Sequence, residues 1–296
     1  MAAPTARSAL RHRAEALAAQ LPPLLVEAER VAVTVSQGVH GRRRVGQGET
    51  FWQFRQYEPG EPAQKIDWRE SARSERLYVR ETEWEAAESV WIWRDTSPSM
   101  DYASTKDLPT KRLRADLVAL ALAALLIRGG ERVTLMGSGR PPAAGNAVLN
   151  RLALEIERAD ASGPSLPAFE QLPRYAQLVL IGDLLEPLAE IDRLARRFAA
   201  MGVKGHLLQV LDPVEETLPF EGRVRFEGLE QEDALLLARV ETVRSRYEEK
   251  LRHHREGLQA LTQAVGWSFA HHRTDRPPTT ALLALYGALA RPKKGG

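Results

Sequence analysis

From residue 89 onward, short apolar segments alternate with longer segments whose apolar residues recur at helical spacing. We predict strands at 89–93, 132–136, 177–182, 203–211 and 267–270, and helices at 111–128, 147–158, 188–200, 241–265 and 279–289. Strands that are apolar throughout and are joined by helices form parallel sheets covered on both faces. The chain is therefore predicted to be an α/β protein with a doubly wound, mostly parallel sheet.

The segment before residue 89 has a different composition. Residues 31–88 contain recurring glycines, a Pro-Gly turn at 59–60, and short aromatic or β-branched stretches between them. This pattern is typical of strands and tight turns, and it predicts a β-rich extension packed on the main domain at 89–290. We expect its aromatic side chains, Trp68 among them, to be buried. Residues 1–30 are predicted to form an N-terminal arm and residues 291–296 a tail.

Composition narrows the range of functions. Lys plus Arg total 41 against 39 Asp plus Glu, which is not the charge excess of a nucleic-acid-binding protein. Cysteine is absent, which excludes disulfides, thiol catalysis and thiolate metal ligands. The longest apolar run, 117–127, is shorter than the ~20 residues that a membrane crossing needs. With no secretory signal pattern at the start, we expect a cytoplasmic protein that does not span a membrane.

Two of the predicted strands end in a carboxylate, at Asp95 and at Asp183. In an open α/β sheet, ligands bind beyond the carboxyl ends of the strands. Asp95 is followed at alternate positions by the hydroxyls of Ser97 and Ser99. A carboxylate, hydroxyls and water suit a hard divalent cation such as Mg²⁺, which would keep open positions for a carboxylate from a partner. The alternative is that these residues only cap the next helix or shape the loop.

Longer motifs carry a family resemblance. The segment at 95–100 (DTSPSM) resembles the metal-ion-dependent adhesion site of von Willebrand factor A-type domains. The segments at 46–51 (GQGETF), 55–61 (RQYEPGE) and 66–73 (IDWRESAR) resemble the signature of the bacterial domain-of-unknown-function family 58, DUF58. The resemblance covers about residues 30–290 and implies a von Willebrand A-like domain with an N-terminal β-rich extension.

The resemblance also implies ligands and a partner. By motif, Asp95, Ser97 and Ser99 are the ligands of the first loop, and Asp183 matches the carboxylate of the third. The second loop of the family pattern supplies a Thr, which Ser165 or Ser162 would replace in this chain. The implied cation is Mg²⁺, or Mn²⁺ or Ca²⁺ in its place. The resemblance further implies a partner, since proteins of this family often accompany MoxR-type AAA+ ATPases and are thought to act as adaptors in chaperone-like assembly or metal-insertion systems.

These observations predict a non-enzymatic, metal-dependent module that binds a protein through an Asp or Glu of that partner. The sequence contains no phosphate loop, dinucleotide fingerprint or nucleophile elbow. The alternative is a metal-dependent hydrolase that uses the same crevice, since a bound cation can activate water.

Overall fold

A computed structural model of the chain describes residues 44–46, 50–57, 66, 68–73, 76–84, 89–159, 162–229 and 234–289. The described residues fall into two compact units, one before residue 88 and one from residue 88 onward. Each unit has a sheet of its own. The predicted arm at 1–30 and the tail at 291–296 lie outside the described residues.

The first unit is a small antiparallel sheet, as the turn-rich sequence predicts. Its elements are β1 (Arg44–Gly46), β2 (Thr50–Gln56), a single helical turn α1 (Trp68–Ser71) and β3 (Tyr78–Trp84). The strand order is β1-β3-β2, with a register shift in β2 between Phe51 and Gln53.

The expected burial of Trp68 is wrong, because its side chain is 62% exposed. The contact between α1 and β3 is made by Ser71 instead. The Ser71 hydroxyl is buried and accepts a hydrogen bond of 2.8 Å from the backbone N–H of Tyr78. The hydrogen bond between Ser71 and Tyr78 therefore connects α1 to β3, while the indole of Trp68 stays exposed.

The second unit is built on a five-stranded sheet that is parallel throughout. Its strands are β4 (Ser89–Arg94), β5 (Arg132–Leu135), β6 (Gln177–Gly182), β7 (Lys204–Leu211) and β10 (Ser268–Arg273). Its helices are α2 (Lys111–Arg128), α3 (Asn146–Arg158), α4 (Leu188–Ala200), α5 (Pro213–Thr217), α6 (Glu241–Ala264) and α7 (Pro278–Leu289). The short strands β8 (Val224–Phe226) and β9 (Leu235–Leu237) pair antiparallel as a separate two-stranded sheet.

Helices cover both faces of the parallel sheet. Alternate residues of a strand point to opposite faces, and β4 illustrates the division. Val90 and Ile92 pack in the core shared with α2, α3 and α7. Trp91 and Trp93 pack in the core shared with α4 and α6. The predicted α/β class with a doubly wound parallel sheet is therefore confirmed.

Helix α2 is buried along most of its length, with its residues from Leu117 to Leu126 inside the core. This explains why its sequence is apolar on all sides instead of along one stripe. Among the described helices, none combines the length and the apolar character needed to cross a membrane.

The strand order β10-β7-β6-β4-β5 contains a topological switch point. The chain runs from β4 outward to β5 and then returns to place β6 on the other side of β4. The loops that leave β4 and β6 therefore diverge and open a crevice at the carboxyl edge of the sheet, which is where open α/β sheets bind ligands. Asp95 follows β4 and Asp183 follows β6, so both predicted carboxylates lie at this switch point.

Candidate metal and partner-binding site

The side chain of Asp95 has one satisfied and one unsatisfied oxygen. The residue is 1% exposed, and its backbone N–H donates to the carbonyl of Ile181 across the sheet at 2.7 Å. Its Oδ1 accepts hydrogen bonds from the N–H of Ser97 at 2.8 Å and from the Ser97 hydroxyl at 2.6 Å. Its Oδ2 is buried and has no hydrogen-bond partner among the described residues. A buried carboxylate oxygen in this state is costly and requires an explanation.

The electrostatics of Asp95 reflect this position. Burial, together with the nearby charge of Asp183, raises the pKa of its carboxyl to about 7. The two hydrogen bonds from Ser97 and the cation of Lys111 act in the opposite direction. At neutral pH this carboxyl is therefore poised between its two protonation states, and an additional cation would stabilise the charged one.

A chain of hydroxyls joins the two carboxylates. The Ser97 and Ser99 oxygens are 3.0 Å apart, and the Ser99 hydroxyl donates to Oδ2 of Asp183 at 2.8 Å. In the arrangement in which Ser97 donates to Asp95 and Ser99 to Asp183, each hydroxyl has used its single hydrogen. Lone pairs on both oxygens then remain available to a cation.

Helix capping does not account for these residues. Ser97 precedes the short 3₁₀ helix Pro98–Asp101 but makes no capping hydrogen bond with its side chain. Helix α2 is capped by Thr110, whose hydroxyl oxygen accepts from the N–H of Leu113 at 3.1 Å. The carboxylate and hydroxyls of the Asp95 loop are thus directed at one another and at Asp183.

Two glycines leave room for the Asp95 loop. A Cβ atom at Gly182, the last residue of β6, would lie 2.8 Å from the Cβ of Asp95 and 3.0 Å from its free Oδ2. A Cβ atom at Gly163 would lie 2.0 Å from the hydroxyl of Thr96. The N–H of Gly163 also donates to the carbonyl of Thr96 at 3.1 Å. The loop that contains Gly163 therefore packs directly on the Asp95 loop, and the contact is possible because Gly163 has no side chain.

A buried lysine that sequence reasoning missed completes the cluster. Lys111, the first residue of α2, is 1% exposed. Its Nζ donates to Oδ2 of Asp183 at 3.0 Å and to Oε1 of Glu215 at 2.6 Å. Burial alone would lower the pKa of Lys111, but the carboxylates of Asp183 and Glu215 outweigh burial and raise it. Burial raises the pKa of Glu215, against the influence of the same ammonium.

The first turn of α2 contains a signal that could have revealed this lysine. Acidic residues are favoured at a helix N-terminus because of the helix dipole, yet α2 begins Lys-Arg-Leu-Arg without an acidic residue. Each of these cations has a fixed partner. Arg112 donates to the carbonyls of Thr96 at 3.1 Å and of Ser97 at 3.0 Å, and it pairs with Asp101. Arg112 thus holds the Asp95 loop, while Arg114 donates to the carbonyls of Thr274 and Arg276 after β10.

The backbone after Asp183 is held in an uncommon conformation. Leu184 has a φ of 51°, in the left-handed region that non-glycine residues seldom adopt. The ring of His254 donates to its carbonyl at 2.7 Å, and the amide of Gln209 donates to the carbonyl of Asp183 at 2.9 Å. Conformations of this kind persist where the surroundings enforce them, and they are common at functional sites.

Ser165 lies near the other site residues but has a different partner. It lines the same cleft of about 630 Å³ as Ser99 and Asp183. Its hydroxyl donates to the carboxylate of Glu186 and not to Asp95 or Asp183. The structure therefore links Asp95, Ser97, Ser99 and Asp183 by close polar contacts, whereas Ser165 is bonded to Glu186.

The residues present fit a divalent cation on the first loop. The unpartnered Oδ2 of Asp95 and the lone pairs of Ser97 and Ser99 are hard oxygen donors, which Mg²⁺ prefers. Gly182 carries no side chain that would cover that oxygen. Asp183 differs from these residues because its Oδ2 is already bonded to Ser99 and Lys111.

Comparison with known proteins assigns the family. The sequence profile of the family "Protein of unknown function DUF58" matches residues 53–257, and the chain belongs to this family. Curated relatives include the uncharacterised protein Rv1480 of Mycobacterium tuberculosis and the uncharacterised protein Mb1516 of Mycobacterium bovis. Each is 26% identical over 278 residues, covering 88% of this chain and 86% of the relative.

Solved structures with some similarity come from Bacteroides. An aerotolerance-related membrane protein of Bacteroides fragilis is 16% identical, with a TM-score of 0.40, over 69% of this chain and 98% of that one. The conserved hypothetical protein BatB of Bacteroides thetaiotaomicron is 13% identical, with a TM-score of 0.39, over 68% and 98% of the two chains.

Proposed function

We propose that the protein is a non-enzymatic adaptor that binds a protein partner at the carboxyl edge of its sheet. In this proposal Asp95, Ser97 and Ser99 hold a divalent cation, Mg²⁺ or alternatively Mn²⁺ or Ca²⁺. When bound, the cation supplies a positive centre with open coordination positions, which an Asp or Glu of the partner would fill.

The observation that carries the proposal is the free Oδ2 of Asp95. This oxygen is buried without a hydrogen-bond partner among the described residues, although the other oxygen of the same carboxylate has two. The site's position at the switch point adds support, because ligands of open α/β sheets bind there. The cleft lined by Ser99 and Asp183 also reaches apolar side chains, among them Leu185 and Phe226, which suit the surface of a protein partner.

The family resemblance suggests the partner and the compartment. We propose a MoxR-type AAA+ ATPase of the same organism as the partner, with assembly of protein complexes in the cytoplasm as the shared task. Nucleic acid is not part of this proposal, since positive and negative side chains are nearly balanced in number.

The test is binding between the purified chain and the purified ATPase, measured by biolayer interferometry. Because the ATPase itself uses Mg²⁺ with its nucleotide, chelation alone would not locate the effect. The comparison is therefore made at constant Mg²⁺ between the wild type, Asp95→Ala and Asp192→Asn. Asp192 is a matched control, since it lies on α4 and pairs there with Arg196.

We expect Asp95→Ala to weaken binding at least about tenfold, a typical coupling for a metal-bridged or charge-paired contact at an interface. Asp192→Asn should bind as the wild type does. Equal binding by all three proteins would contradict a role for the site, and no binding by the wild type would contradict the ATPase assignment.

Catalytic turnover would favour the hydrolase alternative. A screen of ester, phosphoester and peptide substrates with Mg²⁺ or Mn²⁺ separates the two functions, because an adaptor gives saturable binding without product. Product that disappears with Asp95→Ala would overturn the non-enzymatic assignment.

A further inference from the structure

Lys111 brings a cation of the protein itself into the proposed metal site. The ammonium group is 3.0 Å from Oδ2 of Asp183, the oxygen that also accepts the Ser99 hydroxyl. Ser99 is in turn 3.0 Å from Ser97, which donates to Asp95. A series of close polar contacts therefore runs from this lysine through Asp183, Ser99 and Ser97 to Asp95.

The position is an expensive one for a lysine. It is the first residue of α2, where the helix dipole disfavours a positive charge, and it is almost completely excluded from solvent. A buried charge persists only when it is paired and hydrogen-bonded. Asp183 and Glu215 supply this pairing, at 3.0 and 2.6 Å. The carboxylate of Asp183 is thus neutralised by Lys111 before any metal arrives.

A second cation in the same crevice would be repelled by the first. Charges that are buried a few ångströms apart interact strongly, because little water lies between them to screen the interaction. Among the described residues no ammonium is hydrogen-bonded to Asp95, and its free oxygen is the part of the site without a partner. The cluster is therefore divided into a half neutralised by lysine and an open half at Asp95.

We infer that Lys111 is a resident cation of this crevice that holds Asp183, repels a divalent metal at Asp95 and so lowers the affinity of the site for the metal. The inference rests on the proposed metal site of the adaptor. Lys111 would then set the dissociation constant of the site for the metal. That constant determines what fraction of the protein binds metal at a given concentration of the free ion.

Isothermal titration calorimetry with Mg²⁺ alone tests the inference on the full-length chain. Lys111→Met removes the charge and keeps an unbranched side chain, whereas Lys111→Arg keeps the charge. Lys106→Met is the matched control, because it removes a lysine from an exposed position of the loop before α2. If Lys111→Met does not fold, because Asp183 and Glu215 have lost their partner, the double variant Lys111→Met/Glu215→Gln replaces it.

We expect Lys111→Met, or its double variant, to bind Mg²⁺ at least about tenfold more tightly than the wild type, given the strength of interactions between buried charges. Lys111→Arg and Lys106→Met should keep the wild-type affinity. A lysine with only a structural role would give equal or weaker Mg²⁺ binding on removal, and that result overturns the inference, as does a variant that binds no Mg²⁺.

The same experiment separates this inference from the proposed function. A wild type that binds no Mg²⁺, beside a Lys111→Met variant that does, would contradict metal dependence of the native adaptor and support the resident cation. A partner that binds regardless of Asp95, with tighter Mg²⁺ binding by Lys111→Met, would likewise count against the proposed function alone.

Discussion

The two oxygens of the Asp95 carboxylate have different surroundings, and this difference is the most informative feature at the scale of single residues. Oδ1 accepts two hydrogen bonds from Ser97, which orient the side chain. Oδ2 is equally buried and has no partner in the described part of the chain. An oriented carboxylate with one free oxygen would serve the proposed cation as a preformed ligand, since its hydrogen bonds from Ser97 already fix the side chain.

Replacing Asp95 by Ala is expected to abolish stabilisation of the fold by Mg²⁺. A ligand that binds only the native state raises the free energy of unfolding by about 2.7 kcal/mol at a hundredfold excess over its dissociation constant. Differential scanning calorimetry of the wild type and Asp95→Ala, each with and without Mg²⁺, measures this effect. Asp192→Asn serves as the control, and an identical Mg²⁺ response of Asp95→Ala and the wild type would refute the assignment.

A methyl group at Gly182 is expected to disturb the site without any change of charge. Its Cβ would meet the Cβ of Asp95 at 2.8 Å, an atom close to the backbone that cannot rotate away. Overpacking of this kind costs about 1–3 kcal/mol of the free energy of unfolding. The matched control is Gly287→Ala on α7, where nothing lies within 4 Å, and which should be neutral or stabilise by up to about 1 kcal/mol. The measurement is urea unfolding of both variants. Equal changes in the free energy of unfolding for Gly182→Ala and Gly287→Ala would contradict the prediction.

At this scale, the sequence predicts the site residues that directly follow strands. It does not predict the residues that distant segments of the chain contribute to the site. Asp95 and Asp183 can be identified from the sequence because each follows an apolar strand. Ser97 and Ser99 can be identified because they lie in the same loop as Asp95. Lys111 and Glu215 are 104 positions apart in the chain and meet only through the fold. Ser165 was assigned from the family pattern alone, and a local pattern does not specify which carboxylate a hydroxyl will meet.

At the scale of elements, a row of polar side chains crosses three adjacent strands at the edge opposite the site. His206 on β7 lies between Gln177 on β6 and Ser268 on β10, with a ring nitrogen 2.8 Å from each partner. Because the Gln177 oxygen only accepts, Nε2 of the ring carries the hydrogen and Nδ1 accepts from Ser268. The neutral imidazole is therefore satisfied on both sides, and its burial lowers the pKa to about 3.

This row predicts acid sensitivity of the sheet. The pKa of His206 is lower in the folded chain than the usual value of 6.5, so its contribution to stability is complete above that value and is lost as pH falls toward 3. Since one pKa unit corresponds to about 1.4 kcal/mol, the wild type should lose ~2–3 kcal/mol through this residue between about pH 7 and pH 4.5.

The measurement is chemical unfolding of the wild type and of His206→Gln over that pH range. Glutamine can both donate and accept, but it does not titrate, so the variant should show a shallower loss of stability with acid. Parallel pH profiles for the two proteins would show that His206 does not contribute to the acid sensitivity.

The strands and helices of the α/β unit were predictable because burial and periodicity agree along that part of the sequence. The apolar run at 177–182 is β6 with every residue buried, and the other predicted strands and helices are observed with bounds that differ by a few residues. Trp68 shows the limit of such reasoning. An aromatic residue in a turn-rich segment suggests burial, but the four-residue helix α1 contacts β3 through the hydroxyl of Ser71.

At the scale of the whole molecule, the described residues form two units with separate sheets. The α/β unit has cores on both faces of its sheet, and the residues of both cores come from the unit itself. A domain with two complete cores of its own is expected to fold without additional chain.

Residues 89–289 are therefore predicted to form an autonomous domain. Expressed alone, this segment is expected to unfold cooperatively, as single domains do. That residues 31–88 pack on this domain stays a prediction from the sequence. If they do, we expect the whole chain to unfold in one transition, at a higher temperature than the isolated segment. Calorimetry of both proteins decides each point: a segment without a cooperative transition contradicts the first, and equal melting temperatures contradict the second.

The crevice is assembled from parts of the chain that are synthesised far apart. Ser99 meets Asp183 across 84 positions, and Lys111 meets Glu215 across 104. Contacts at such separation form only after long loops have closed, which is slow relative to local structure. During synthesis the Asp95 loop therefore emerges well before the residues that complete it. If a partner recognises the completed crevice, as proposed, it would distinguish a mature chain from a nascent one, and binding would report that all strands of the sheet are in place.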